Sequence, residues 1–162
     1  MAESDSRYTP QSVLDVVRSL APIGLDPCAP ASNPTEARIF FTEAEDGLAQ
    51  TWLCRPGELV FVNPPYGRGE LSRWASKVVE SRGLEVLVLT PCDLGTRWAR
   101  VLFQGGARAL CGWHGRIAFV RPDGTYETGA KQPSLFWYFG ARIDLFRMCF
   151  ESRGSVAYIG GR

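Results

Sequence analysis

Leu59-Val60-Phe61-Val62 runs directly into Asn63-Pro64-Pro65-Tyr66. The apolar run predicts a strand, and the two prolines end it abruptly, because proline cannot donate to a sheet ladder. Working back from there, an acidic run (Glu43-Ala44-Glu45-Asp46-Gly47) follows a predicted strand over 37–42. Before that lies a loop over 30–34. Ile23-Gly24-Leu25-Asp26 reads as a short buried strand that Pro27 stops. A helix is expected over 12–20, with Val13, Val16, Val17 and Leu20 on one face. Working forward, an amphipathic helix over 70–82 turns Leu71, Trp74, Ala75 and Val78 inward and closes at Gly83. A very apolar strand follows over 84–90. Thr96 then caps a helix running to Gln104, closed by Gly105-Gly106.

The last third predicts a strand over 107–111. Strands over 117–120 and 134–139 form a late hairpin across Pro122-Asp123-Gly124. A helix over 143–150 and a strand over 156–159 complete the chain. Strands and helices alternate through most of this order. That argues for an α/β sandwich with a mainly parallel sheet, to which the late hairpin adds an antiparallel edge. In such sheets ligands bind at the carboxyl ends of strands. Asp26 and Asn63 both occupy predicted strand ends.

Bulk properties narrow the classes. The 162 residues suit one domain with its own core, with 1–7 expected to be disordered. Hydrophobic residues at 45% and charged residues at 22% are an ordinary globular balance. No apolar run is long enough to span a bilayer, and the acidic N-terminus does not read as a signal peptide. Five scattered cysteines with no CxxC pair, and a lone His114, argue against a zinc site or a disulfide framework. Reduced thiols in a cytoplasmic protein are the simplest reading. The net charge of +1 does not announce a polyanion binder. Its basic residues are nearly all arginine, the exceptions being Lys77 and Lys131. Arginine suits phosphate and base stacking, and it is equally what a GC-rich genome encodes.

The residue types in the turn suit one kind of chemistry. An exocyclic amine on adenine or cytosine is a poor nucleophile, because its lone pair is delocalised into the ring. Two acceptors at its two N–H bonds draw the nitrogen toward tetrahedral geometry and free the lone pair to attack a methyl group. Asn63 would supply its side-chain oxygen and Pro64 its backbone carbonyl, pre-aimed by the prolines. Tyr66 offers a face for stacking. A duplex base reaches such a pocket only if flipped out or already single-stranded. The alternative is a rigid strand-ending turn without chemistry.

A wider pattern surrounds the turn. Tyr8-Thr9-Pro10, Leu25-Asp26-Pro27-Cys28-Ala29, Asn33, Asp46-Gly47-Leu48, Trp52, Phe61-Val62-Asn63-Pro64-Pro65-Tyr66-Gly67, Trp74 and Gly115-Arg116-Ile117-Ala118-Phe119 occur in this order. The pattern resembles the phage-type DNA N6-adenine methyltransferase (Dam) family over most of the chain. The resemblance implies a Rossmann-like methyltransferase fold, S-adenosylmethionine as donor with S-adenosylhomocysteine as product, adenine in DNA as acceptor, no metal, and a phage or prophage origin. It also places the donor on Tyr8, Thr9, Pro10, Asp26, Pro27, Cys28, Ala29, Asp46, Gly47, Leu48 and Asn63. Asp46 would accept from the donor's adenine amine. Asp26 would meet its methionine part, bordered by Thr9 and Pro10. Asp26-Pro27-Cys28-Ala29 departs from the glycine-rich donor loop of many methyltransferases. Glu43 is a candidate for the ribose. Asp26 and Asp46-Gly47 also fit plain turn roles.

Arg68, Arg73, Arg116 and Lys131 are candidates for a phosphate-binding rim, as are Arg97, Arg100 and Arg121; for any one of them, plain solvation is the bland alternative. Trp113 is either a cover for the substrate base or a packed loop aromatic. The segment 121–132 is the one insertion suited to reading sequence. RNA adenine or protein glutamine as acceptor, and a degenerate fold that only binds nucleic acid, are the competing readings.

Overall fold

A computed structural model describes residues 7–128 and 130–160 of the chain. Residues 1–6, most of the stretch expected to be disordered, lie outside the described residues. Arg7, the last residue of that stretch, is instead tied down, its Nε bonded to Glu127 Oε1 at 2.9 Å.

The elements follow in the order α1 (Gln11–Leu20), β1 (Ile23–Asp26), β2 (Ile39–Phe40), β3 (Leu59–Val62), α2 (Glu70–Glu80) and β4 (Val86–Pro91). Then come α3 (Arg97–Gln104), β5 (Ala109–Trp113), β6 (Ser134–Phe139), α4 (Ile143–Phe150) and β7 (Gly154–Tyr158). The strands form one mixed sheet of seven in the order β2-β1-β3-β4-β6-β5-β7. The first four are mutually parallel, whereas β6 pairs antiparallel with both β4 and β5, and β7 antiparallel with β5.

Alternation along the strands builds a core on each face. Leu59, Phe61, Leu87, Leu89, Phe136 and Tyr138 pack with α1 and α4 on one side. Val60, Val62, Val86, Val88 and Trp137 pack with α2 and α3 on the other. Both faces are covered, so the central strands are apolar throughout. Thr96 caps α3 as expected, its side chain accepting from Ala99 N.

Three expectations change. The strand predicted over 37–42 is only Ile39–Phe40. The strand predicted over 117–120 does not join the sheet, because both edges of β5 are already taken by β6 and β7. Ile117 and Phe119 still bury in the core, and Val120 makes single bridges to Tyr8 and Tyr126. The antiparallel component is therefore not a hairpin at the edge; β6 lies inside the sheet, between β4 and β5.

The connections place the site. From β1 the chain goes outward to β2, then crosses back to β3 on the other side of β1. The loops leaving β1 and β3 therefore part, opening a crevice at their carboxyl ends.

One buried polar contact reports on the core. The indole Nε1 of Trp137 donates to Thr90 Oγ1 at 2.8 Å, and both residues are fully buried. Thr90→Val would orphan that N–H. We predict a loss of about 1–3 kcal/mol in urea unfolding. Thr90→Ser, which keeps the acceptor, should cost clearly less.

Candidate active site

The crevice is a cavity of about 990 Å³. Its walls come from the segment before α1, the ends of β1 and β3, the turn after β2 and the start of α2.

From β1, Asp26, Pro27, Cys28 and Ala29 line it. The Asp26 side chain is 4% exposed. Its Oδ1 accepts from Cys28 N at 3.1 Å and its Oδ2 from Thr35 Oγ1 at 2.9 Å. The carboxylate thus forms the turn that follows the strand and faces the cavity as well. Burial raises its pKa from 3.8 to about 6, against the opposing pull of those two hydrogen bonds. Thr35 is itself buried and escaped the sequence reading. The signal for it was the preceding Asn33-Pro34, a turn opener. Asn33 Oδ1 and Nδ2 bond Ala37 N and Ala37 O, and its φ is 45°.

After β2 the chain forms a 3-10 turn, Glu43–Glu45. Thr42 and Glu45 cap it reciprocally, with Thr42 N bonded to Glu45 Oε2 at 2.8 Å. Glu45 is used up in that cap, whereas Glu43 and Asp46 line the cavity and pair with no cation among the described residues. Asp46 holds φ at 50°, and its Oδ1 accepts from Leu48 N at 3.2 Å. Gly47 sits so close to Pro27 that a Cβ would overlap the Pro27 carbonyl. This contact joins the loop after β2 to the loop after β1. Trp52 Nε1 donates to Gly47 O at 2.9 Å, and Trp52 stacks on Trp74 of α2 with centroids 6.3 Å apart. Trp74 lines the cavity, and its indole N–H is the one buried side-chain polar group without a partner among the described residues.

At the end of β3, Asn63, Pro64, Pro65 and Tyr66 line the cavity together. The Asn63 amide donates through Nδ2 to Thr9 Oγ1 at 3.0 Å and to the Arg7 carbonyl at 3.3 Å. Its Oδ1 accepts from Tyr66 OH at 3.3 Å. The Pro64 carbonyl accepts no hydrogen bond among the described residues. Cys28 Sγ donates to the Asn63 backbone carbonyl at 3.3 Å. Burial pushes the Cys28 thiol and the Tyr66 phenol well above their ordinary ranges. Neither ionises near neutrality, so both act here as hydrogen-bond donors. The Tyr66 ring lines the cavity while its hydroxyl points back into the turn.

Tyr8 and Thr9 line the cavity; Pro10 does not, being the buried cap residue of α1. Of the seven cations named for a rim, only Arg73 reaches the cavity, and it pairs with Glu70 at 3.1 Å. Arg68, Arg116 and Lys131 are exposed on loops and do not line it. Arg97 lies in a separate groove of about 550 Å³ with Arg73 and Lys77. Trp113 ends β5, packs against Phe136 with centroids 5.6 Å apart, and does not line the cavity. Among the described residues no three His, Cys, Asp or Glu side chains converge as a metal site would require.

The structure is thus an α/β sheet with a crevice at its switch point, lined by acidic side chains and by an Asn-Pro-Pro-Tyr turn. A family model for DNA N-6-adenine-methyltransferase (Dam) matches residues 1–139, and the chain belongs to that family. The activity this family implies is methylation of adenine N6 in DNA. No curated protein matches the chain.

The buried Asp26 gives a pH prediction. In the unfolded chain this carboxyl ionises near 3.8; in the fold it ionises near 6. Between those values the folded state holds the extra proton, so stability falls as pH rises through the window. Asp26→Asn should flatten that segment of a pH–stability profile. Thr35→Val, which removes a bond to the charged form, should move the Asp26 midpoint upward in a carboxyl NMR titration.

Proposed function

We propose that the chain transfers a methyl group from S-adenosylmethionine to the N6 amine of adenine in DNA, on a Rossmann-like methyltransferase fold. The observation that carries this reading is the turn itself. Asn63 and Pro64, consecutive in the turn, offer two acceptors: one lone pair of a carboxamide oxygen whose other contacts are made, and an unused backbone carbonyl. That pair suits an amine with two N–H bonds. No side chain near them needs to act as a strong base.

The cavity walls fit the donor. Asp26, Glu43 and Asp46 are carboxylates without a cationic partner among the described residues, and the donor carries an ammonium and a sulfonium. The unpartnered Trp74 N–H adds a donor for one of its acceptors. When bound, S-adenosylmethionine supplies a methyl group activated by the sulfonium. Asp26 with Tyr8 would hold its methionine end, Glu43 its ribose, and Asp46 with Gly47 and Leu48 its adenine. Asn63 and Pro64 orient the substrate amine and draw density onto its nitrogen. Pro65 fixes the turn, and Tyr66 donates to Asn63 while its ring borders the base. The base enters flipped from a duplex or from single-stranded DNA. Arg68, Arg73, Arg116 and Lys131 would meet phosphates around the mouth. Phage or prophage origin, the host cytoplasm as its location, and one domain spanning the chain belong to the same reading.

The test is methylation with isotopically labelled donor on DNA, RNA and protein, followed by digestion and mass spectrometry. N6-methyladenine from DNA is expected; label only in RNA adenine or in glutamine would overturn the substrate assignment. Asn63→Ala should lower the single-turnover rate by at least 100-fold and leave the Kd for S-adenosylhomocysteine within about twofold by calorimetry. Asp46→Ala should do the converse, weakening that Kd about tenfold or more. An unchanged Kd would remove Asp46 from the donor site.

A further inference from the structure

A carboxamide catalyses amine attack only when its oxygen, not its nitrogen, faces the amine. The two ends of the group have almost the same shape, so the turn alone does not select between them. Reversed, Asn63 would present N–H to the N–H of the substrate, and the acceptor pair would be lost.

We propose, resting on the reading above, that the segment Arg7-Tyr8-Thr9 is what sets this orientation, with Thr9 as a positioning residue for Asn63. Both amide protons of Asn63 have acceptors there, Thr9 Oγ1 at 3.0 Å and the Arg7 carbonyl at 3.3 Å. The Arg7 carbonyl can only accept, so a reversed carboxamide would set oxygen against oxygen there; the Thr9 hydroxyl, able to donate or accept, then holds the second amide proton in the orientation that carbonyl selects. The Thr9 side chain is buried, and its hydroxyl has no other partner among the described residues. The orientation is therefore imposed from a segment 54 residues away in sequence.

The segment is itself anchored away from the turn. Tyr8 N donates to Val120 O at 2.8 Å and Val120 N to Tyr8 O at 2.9 Å. Arg7 pairs with Glu127. The loop that receives these contacts folds back on itself, with Glu127 N bonded to Phe119 O at 2.8 Å and Arg121 N to Thr125 O at 2.8 Å. Two main-chain bonds and an ion pair thus hold the segment over Asn63 before any substrate arrives. This reassigns Thr9 from a border of the donor to a support of the catalytic amide.

The experiment compares Thr9→Val, which keeps the shape and removes the acceptor, with Thr9→Ser, which keeps the acceptor. Thr9→Val should slow single-turnover methyl transfer about tenfold, the worth of roughly one buried hydrogen bond. The Kd for S-adenosylhomocysteine and the KM for DNA should move less than about twofold. Thr9→Ser should stay within about threefold of the parent rate. A parallel reading needs no activity. In 15N NMR, the Asn63 side-chain amide, identified by its loss in Asn63→Asp, should show two resolved, slowly exchanging protons. Thr9→Val should speed their exchange.

A Thr9→Val rate equal to the parent, or a matching loss of donor affinity, overturns the proposal. So does Thr9→Ser falling as far as Thr9→Val. Averaged, rapidly exchanging Asn63 amide protons in the parent protein overturn it even if Thr9→Val does not fold. If no substrate is methylated at all, the functional reading fails, while the NMR result still decides the orientation.

Discussion

The chain leaves β1 in one direction, to β2, and returns to β3 on the opposite side. Everything at the site depends on this reversal. Loops that would lie side by side in a simple parallel progression are forced apart, and the gap between them becomes a cavity rather than core. Asp26 ends one of the two strands and Asn63 follows the other. The contact of Gly47 with the Pro27 backbone ties the loop after β2 to the loop after β1, at a distance that admits no side chain. The switch point opens the cavity, and that contact holds together two of the loops that line it.

Polar groups around the cavity divide into those whose bonds are complete and those left over. Glu45 is consumed in its cap, Glu70 by Arg73, and the phenol of Tyr66 by the turn. Glu43, Asp46, the Pro64 carbonyl and the Trp74 N–H remain. Of these the Trp74 N–H is buried without a partner, which is costly in a folded protein, whereas Glu43 and Asp46 are exposed carboxylates without a counter-ion among the described residues. All of them line the same cavity. The unpaired groups are mainly acceptors and acids, which favours a cationic, amine-bearing ligand over a phosphorylated one.

The turn at Asn63 brings separate parts of the chain to one point. Cys28 reaches its backbone, Tyr66 its side-chain oxygen, and Thr9 with Arg7 its side-chain nitrogen. A small protein has little core to spare for rigidity. Here rigidity at the reacting group comes from hydrogen bonds between loops, with the prolines limiting the backbone.

Much was readable from residues alone. Apolar runs at 59–62, 84–90 and 134–139 announced the central strands, since strands buried on both faces leave no room for polar residues. Thr96 announced a helix start, because its hydroxyl is a standard partner for a free backbone N–H. Asn63-Pro64-Pro65-Tyr66 announced the acceptor pair, because a rigid turn carrying an amide is a local feature. What only the tertiary structure decided was everything that depends on distant neighbours. Ile117 and Phe119 look like strand residues, yet the free edges of β5 were already occupied. Thr35 is an ordinary loop threonine until Asp26 is buried beside it. The resemblance places Thr9 beside the donor, and only the fold brings its hydroxyl to the Asn63 amide. Local patterns reflect steric and hydrogen-bond preferences within a few residues; partner choice across 9 or 54 residues follows from packing, which no local pattern encodes.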